Sequence, residues 1–178
     1  KKPCLDSEGK AGYRMEYDER NLRVTFVNIG LDLKPCKDRY GIIIVKDDYD
    51  KRGNSIKKAY YDASGKNLIL SNENIAGWTS TYDDFGNETE YMFFNVKREP
   101  CLVNGEYAKK RSTYDEHGNI KTERFYDMEG NLTLVNGIAG TDYICDERGN
   151  VLENKPIGVN GKLANGKLII RNKYDKSD

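Results

Sequence analysis

Tyr82-Asp83-Asp84-Phe85-Gly86-Asn87, set between Trp78-Thr79-Ser80-Thr81 and Glu88-Thr89-Glu90-Tyr91-Met92-Phe93-Phe94, decides the fold of this chain. Aspartate opening a type I turn caps the backbone amides two residues on, and glycine in fourth place accepts the positive φ of a G1-bulge exit. Flanked by strand-like runs, Asp-x-x-Gly is therefore a hairpin loop. The phrase returns 33 residues earlier as Tyr49-Asp50-Lys51-Arg52-Gly53-Asn54 and 32 later as Tyr114-Asp115-Glu116-His117-Gly118-Asn119. Worn copies stand at Tyr17-Asp18-Glu19-Arg20-Asn21 and Cys145-Asp146-Glu147-Arg148-Gly149-Asn150. A constant interval of this size is the mark of a tandem-repeat architecture.

Aligned on the motif, the units run over residues 3–34, 35–67, 68–99, 100–132 and 133–155, with 156–178 as a degenerate terminal unit or cap. A second turn of the same kind follows in some units, at Asp62-Ala63-Ser64-Gly65 and Asp127-Met128-Glu129-Gly130. The flanks alternate with period two: Tyr13, Met15 and Tyr17 share one face while Arg14 and Glu16 take the other. Each unit is expected to hold three short strands, and the fifth to lack its second hairpin between Asn150 and Pro156. The fold class is all-β: a tandem-repeat β-hairpin array of about five 32-residue units, a solenoid-like twisted antiparallel ribbon. One unit cannot fold alone, because ordering its backbone costs about 1–2 kcal/mol per residue and a lone hairpin has nothing to bury against. Stacking on the next unit supplies the missing face.

Bulk properties narrow the function classes. Lysine plus arginine balance aspartate plus glutamate at 29 each, so no general field draws nucleic acid or an anionic membrane to this chain. No stretch approaches the roughly 20 apolar residues of a membrane helix, so membrane insertion is not expected. The usual hydrophobic set is only 37% of 178 residues, and thirteen tyrosines with five phenylalanines make up part of the shortfall. The chain opens Lys1-Lys2-Pro3-Cys4 without methionine, which reads as a processed or truncated piece. Cys4, Cys36 and Cys101 each follow a proline at one slot of successive units, where other units carry Leu68 or Leu134. Cysteine exchanging with leucine acts as a small hydrophobe, so buried free thiols are expected ahead of disulfides, and metal ligation behind both.

On Tyr49-Asp50, Tyr82-Asp83 and Tyr114-Asp115 with their Gly-Asn partners, and on Tyr61-Asp62…Gly65 and Tyr126-Asp127…Gly130, the chain resembles the bacterial YD-repeat (RHS-like) group. That resemblance spans most of residues 3–150. It implies β-hairpin ribbons in exported or cell-surface bacterial proteins, with binding or encapsulating roles rather than intrinsic catalysis.

The search for chemistry finds little. The single histidine, His117, sits mid-turn where sister units hold Arg52, Phe85 and Arg148, so it reads as an exposed turn residue. Asp48-Tyr49-Asp50-Lys51-Arg52-Gly53 lacks the third acid and closing glutamate of a calcium loop. No nucleophile-elbow, P-loop or dinucleotide phrase occurs. Catalytic residues, metal ligands and cofactors are accordingly none. The adjacent aromatics Tyr60-Tyr61, Phe93-Phe94 and Phe125-Tyr126 are more informative, since neighbouring strand residues point to opposite faces. One ring of each pair faces the core; the other either packs under a loop or joins an exposed aromatic stripe that Trp78 extends. The candidate binding surface is thus Trp78, Tyr60, Tyr61, Phe93, Phe94, Phe125 and Tyr126. The leading expectation is a non-catalytic module for protein binding or scaffolding with a protein partner. A carbohydrate- or envelope-binding module using the stripe, and a structural spacer or shell segment without a ligand, stay open beside it.

Overall fold

The computed structural model describes residues 6–7 and 9–174, and among them the regular structure is all β. Eleven strands follow one another in chain order in an antiparallel sheet. They are β1 (Gly12–Tyr17), β2 (Arg23–Ile29), β3 (Ile44–Tyr49), β4 (Ser55–Tyr61), β5 (Gly77–Tyr82), β6 (Glu88–Phe94), β7 (Lys109–Tyr114), β8 (Ile120–Tyr126), β9 (Gly140–Cys145), β10 (Val151–Ile157) and β11 (Ile170–Arg171). The expected hairpin array is the fold. Contacts group the chain into two compact units, residues 1–80 with 93–104, and residues 81–92 with 105–178.

The motif turn works through its side chains. At Asp50 the backbone N–H donates to Asn54 C=O at 3.0 Å, and Gly53 N–H returns to Asp50 C=O at 3.2 Å. Asp50 Oδ1 accepts the backbone N–H groups of Arg52 and Asn54, both at 2.9 Å, while Asn54 Nδ2 donates to Oδ2 at 2.9 Å. Gly53 sits at φ 91°, which an L side chain adopts only under strain. The register between β3 and β4 shifts at Asp48/Tyr49, where Lys57 and Ser55 are the successive partners, so the extra residue of the bulge is Ile56 on β4, across from the motif tyrosine. Asp83, Asp115 and Asp146 repeat the same bonds with Asn87, Asn119 and Asn150. In the worn copy at Asp18, Asn21 takes the left-handed place at φ 63°, and Arg20 rather than an asparagine meets the second carboxylate oxygen.

Two differences from the sequence-based expectation follow from this geometry. Units hold two strands rather than three. The third segment makes only isolated bridges, Ile29 to Pro35 and Tyr61 to Leu68 in the first unit, Tyr126 to Leu132 and Ile157 to Leu163 in the second. Another turn begins within a few residues, at Asp38–Ile42, Ser71–Ile75 and Val135–Ile138, so no ladder can extend. The second difference lies in β10, which is a full seven-residue strand paired to β9 although it contains Pro156. At the matching place Asn28, Tyr60 and Phe125 donate their N–H outward to Ile43, Ala76 and Ala139. Proline forfeits only that outward bond, so the hairpin with β9 forms regardless.

Burial concentrates at the end of each hairpin away from the motif turn. In the first unit Ala59, Ala76 and Phe94 form a buried cluster with Tyr61 and Leu68 packed on it, and Ile75 is 2% exposed. In the second, Ala108, Val135, Ala139 and Ile157 are buried. Burying a side chain the size of Ile75 or Phe94 stabilises by about 1.5–3 kcal/mol. Alanines Ala59, Ala76, Ala108, Ala139 and Ala164 recur among these buried residues, and their small side chains let strand and loop backbones approach closely.

Candidate functional site

The repeated polar residues are the first place to seek a site, and their partners are backbone and side-chain groups of the turns themselves. The side-chain hydrogen bonds from Asn87 and Asn150 hold the Asp83 and Asp146 carboxyls below the usual carboxylate range. Ser64 and Asn67 depress Asp62 further in the same way. Such carboxylates are poor general acids, and their lone pairs are already engaged. Among the described residues no three His, Cys, Asp or Glu side chains are placed to hold a metal. His117 lies exposed in its turn, its backbone N–H bonded to Asp115 at 2.9 Å.

The motif tyrosine has a role that its sequence position did not reveal. Tyr49 Oη donates to the carbonyl of Arg23 at 3.0 Å, and Tyr114 Oη to the carbonyl of Glu88 at 2.9 Å. Each acceptor opens the second strand of the preceding hairpin, so the phenol ties one hairpin to the next. Cys145 reaches Ile120 C=O at 3.8 Å from the same place. Burial pushes the Tyr49 phenol and the Cys145 thiol up. Tyr17, in the first hairpin, turns its hydroxyl to Met15 Sδ at 3.0 Å and is 53% exposed. The face of β1 carrying Tyr13 and Tyr17 is therefore open rather than buried.

The seven candidate aromatics divide. Tyr60, Phe93 and Phe94 are buried, whereas Tyr61, Trp78, Phe125 and Tyr126 are half-buried. Tyr60 pairs with Val45 and Tyr61 with Ile44, on opposite faces as the pleat requires. Loop segments pair along the edge of β4: the Leu68 segment bridges Tyr61, and the Ala76 carbonyl takes the Tyr60 N–H. Burial pushes the Tyr60 phenol up to about 12. In the second unit Tyr107 tilts against Phe125 at 5.0 Å between ring centroids. No continuous bare stripe results. The half-buried rings carry cations: Lys46 lies 4.6 Å from the Tyr61 centroid, Lys58 5.4 Å from Trp78, and Lys109 5.4 Å from Tyr126. The more open rings escaped the sequence reading. Phe85 is 84% exposed at the middle of a motif turn, where a hydrophobic residue has nothing to pack on.

Cys36, Cys101 and Cys145 carry free thiols and are half-buried rather than buried, while Cys4 lies outside the described residues. Asp47, 3% exposed, accepts from Arg23 at 3.2 Å and faces Lys58 at 3.7 Å, an enclosed ion group that no motif announced. A hollow of 320 Å³ in the second unit is lined by Leu134, Val159, Leu163, Ala164 and neighbouring glycines and asparagines, and gathers no acid, base or nucleophile. No described helix is long and apolar enough to cross a membrane.

No family model matches this chain, and no curated protein matches it. Solved structures do. A Tc holotoxin pore of Photorhabdus luminescens bearing a TccC3 mutation is 14% identical with a TM-score of 0.41, covering 89% of this chain. A crystal structure of TcdB2-TccC3 is 18% identical with a TM-score of 0.25, covering 80%. The chain spans 9% of the length of each of these larger chains.

Proposed function

We propose that this chain is a non-catalytic module for protein binding or scaffolding, within an exported bacterial protein of the YD-repeat kind. Its repeats form an array over residues 3–155, with 156–178 as a terminal unit. The observation that carries the proposal is the fate of the repeated polar residues. Aspartate, asparagine and tyrosine of the motif all bond to the turns or to the preceding hairpin, as at Asp50, Asn54 and Tyr49. The one phrase that recurs along the chain is thus spent on architecture, and the strand faces between are free to vary. Burial of Tyr60, Phe93 and Phe94 weighs for this reading over a sugar-stacking ladder, because stacking needs bare ring faces in series. Trp78 and its cross-strand neighbour Lys58 are the pair on which a glycan reading would rest.

The test presents the immobilised chain to the remaining domains of its full gene product and, separately, to a glycan array. Saturable retention of polypeptide with a blank array is the expected result. Glycan capture that Trp78→Ala weakens would overturn the proposal in favour of a carbohydrate-binding module. Retention of neither would do so in favour of a passive spacer.

A further inference from the structure

We infer that copies of this chain join in series, the Leu31-Asp32-Leu33 turn of one copy seating in the apolar hollow beside Val159 and Leu163 of the next. This goes beyond the module reading above and names a second copy of this chain as a partner.

The knob is a turn that works against its own backbone. Gly30 N–H donates to Lys34 C=O at 2.9 Å and Leu33 N–H to Gly30 C=O at 3.0 Å, with Leu33 in the left-handed place at φ 63°. The matching turns hold Gly65, Arg98, Gly130 and Gly161 there. A leucine in that conformation is strained, because its Cβ crowds the following carbonyl oxygen. It recovers nothing within the chain: Leu33 is 78% exposed and Leu31 51%. Arg98, Gly130 and Gly161 are exposed at the same place, so the exposure belongs to the turn. Strain and bare apolar surface at one position point to a contact outside the chain. Between the two leucines, Asp32 Oδ1 accepts the Lys34 N–H at 3.1 Å and Oδ2 has no described partner.

The hollow answers each of these features. Its 320 Å³ lies between two successive loops, with Leu134 on one and Val159, Leu163 and Ala164 on the other. About 150 Å³ of apolar space holds a six-carbon ring, so two leucine side chains fit. The room is made by small residues of this loop: Gly158, Val159 and Ala164 stand where the preceding loop has Asp127, Met128 and Thr133. The turn Gly158-Val159-Asn160-Gly161-Lys162 is itself a counterpart of the knob, since Asn160 Oδ1 accepts the Lys162 N–H at 3.0 Å as Asp32 accepts that of Lys34. Glycine at 161 leaves open the place that Leu33 fills in the knob. The polar part of the lining suits a carboxylate. Asn165 lines the hollow and its side chain makes no described hydrogen bond. Lys167 Nζ lies 3.8 Å from where a Cβ on Gly137 would stand, at the wall of the hollow. Both groups suit Asp32 Oδ2, and no acid lines the hollow to repel it. One turn in one hollow buries far less than the about 800 Å² per partner of a standard interface, so the association is weak. Knob and hollow are different surfaces, so the contact is heterologous and every joined pair still offers one of each.

The test is sedimentation velocity of the whole chain across a concentration series. The mean mass is expected to rise continuously with concentration rather than stop at a dimer. Leu33→Gly, which gives the turn the residue of its sisters, should abolish that rise while the thermal midpoint stays level or increases. Asn165→Leu, which fills the hollow with the residue the preceding loop carries at Leu134, should abolish it as well. Mixed one to one, the first variant keeps its hollow and the second its knob, and the pair should form a heterodimer that grows no further. A mass that stays monomeric throughout, a rise that survives either variant, or a mixture that remains monomeric would each overturn the inference. A lowered thermal midpoint in Leu33→Gly would do the same, because the leucine would then be satisfied within its own chain. A monomeric chain that still retains the gene product's own domains loses the joining site alone and leaves the module reading standing.

Discussion

Replacing Tyr114 by phenylalanine keeps the half-buried ring and removes only the hydroxyl that donates to the Glu88 carbonyl at 2.9 Å. A hydrogen bond of this kind contributes about 0.5–1.5 kcal/mol net, because the unfolded chain regains bonds to water. The same loss is expected for Tyr49→Phe, whose hydroxyl meets Arg23 at 3.0 Å. Tyr17→Phe supplies the internal control. Its hydroxyl meets only a thioether and the ring is 53% exposed, so the change should stay within about 0.5 kcal/mol. Urea unfolding followed by far-ultraviolet circular dichroism measures all three, read from the midpoint at constant slope. Trp78, the only tryptophan, lies in the first compact unit, so its fluorescence follows Tyr49→Phe directly. On heating, a loss of 1 kcal/mol should lower the transition by about 2–4 °C for a chain of this size. Equal destabilisation by Tyr17→Phe and Tyr114→Phe, or no effect of either Tyr49→Phe or Tyr114→Phe, would refute the assignment of the motif tyrosine to coupling between hairpins.

Cys145→Tyr restores the motif residue where a thiol now makes a long 3.8 Å contact, and should raise stability by about 0.5–1 kcal/mol in the same urea assay. Gly140→Ala would place a Cβ 2.0 Å from the Glu123 carbonyl oxygen at φ 157°, and should cost more than about 2 kcal/mol, seen as a lowered thermal midpoint. For acid, the sign follows from the depressed carboxyls of Asp83 and Asp146: their contribution is intact above the unfolded value near 4 and is lost as pH falls through the lower folded values. Stability should therefore decline as pH drops below about 4, and Asn87→Ala with Asn150→Ala should flatten that decline in a pH series of unfolding midpoints.

The hairpins were legible because Asp-x-x-Gly determines its own geometry: the carboxylate of Asp50 needs only residues within four positions of it. Local chemistry leaves a local record. Coverage of the strand faces was not legible, since it depends on where a loop lies after the chain has turned. Tyr60 and Phe125 carry the alternation of exposed strand residues, yet Tyr60 is buried and Phe125 packs against the Tyr107 ring. The missing third strand is a failure of the same kind. Leu68-Ile69-Leu70 has strand composition, yet it makes one bridge before the Ser71 turn redirects it. The tyrosine bond was hidden for a different reason: its acceptor is a main-chain carbonyl 26 residues away, and a carbonyl has no sequence identity.

That last point bears on why the motif persists while the strand faces diverge. A bond from a side chain to a backbone carbonyl tolerates any residue at the acceptor, and Arg23 and Glu88 serve equally. Only the donor must be kept. The rung next to the bulge shows the freedom this allows. It is an ion pair at Asp48 and Lys57, a hydroxyl pair 2.7 Å apart at Thr113 and Thr122, and an exposed isoleucine beside a glutamate at Ile144 and Glu153. Each solution contributes at most about 1 kcal/mol. The turn and the phenol hold the hairpins in place whichever is used, so the chemistry of that surface can be set by what it must meet rather than by what the fold requires.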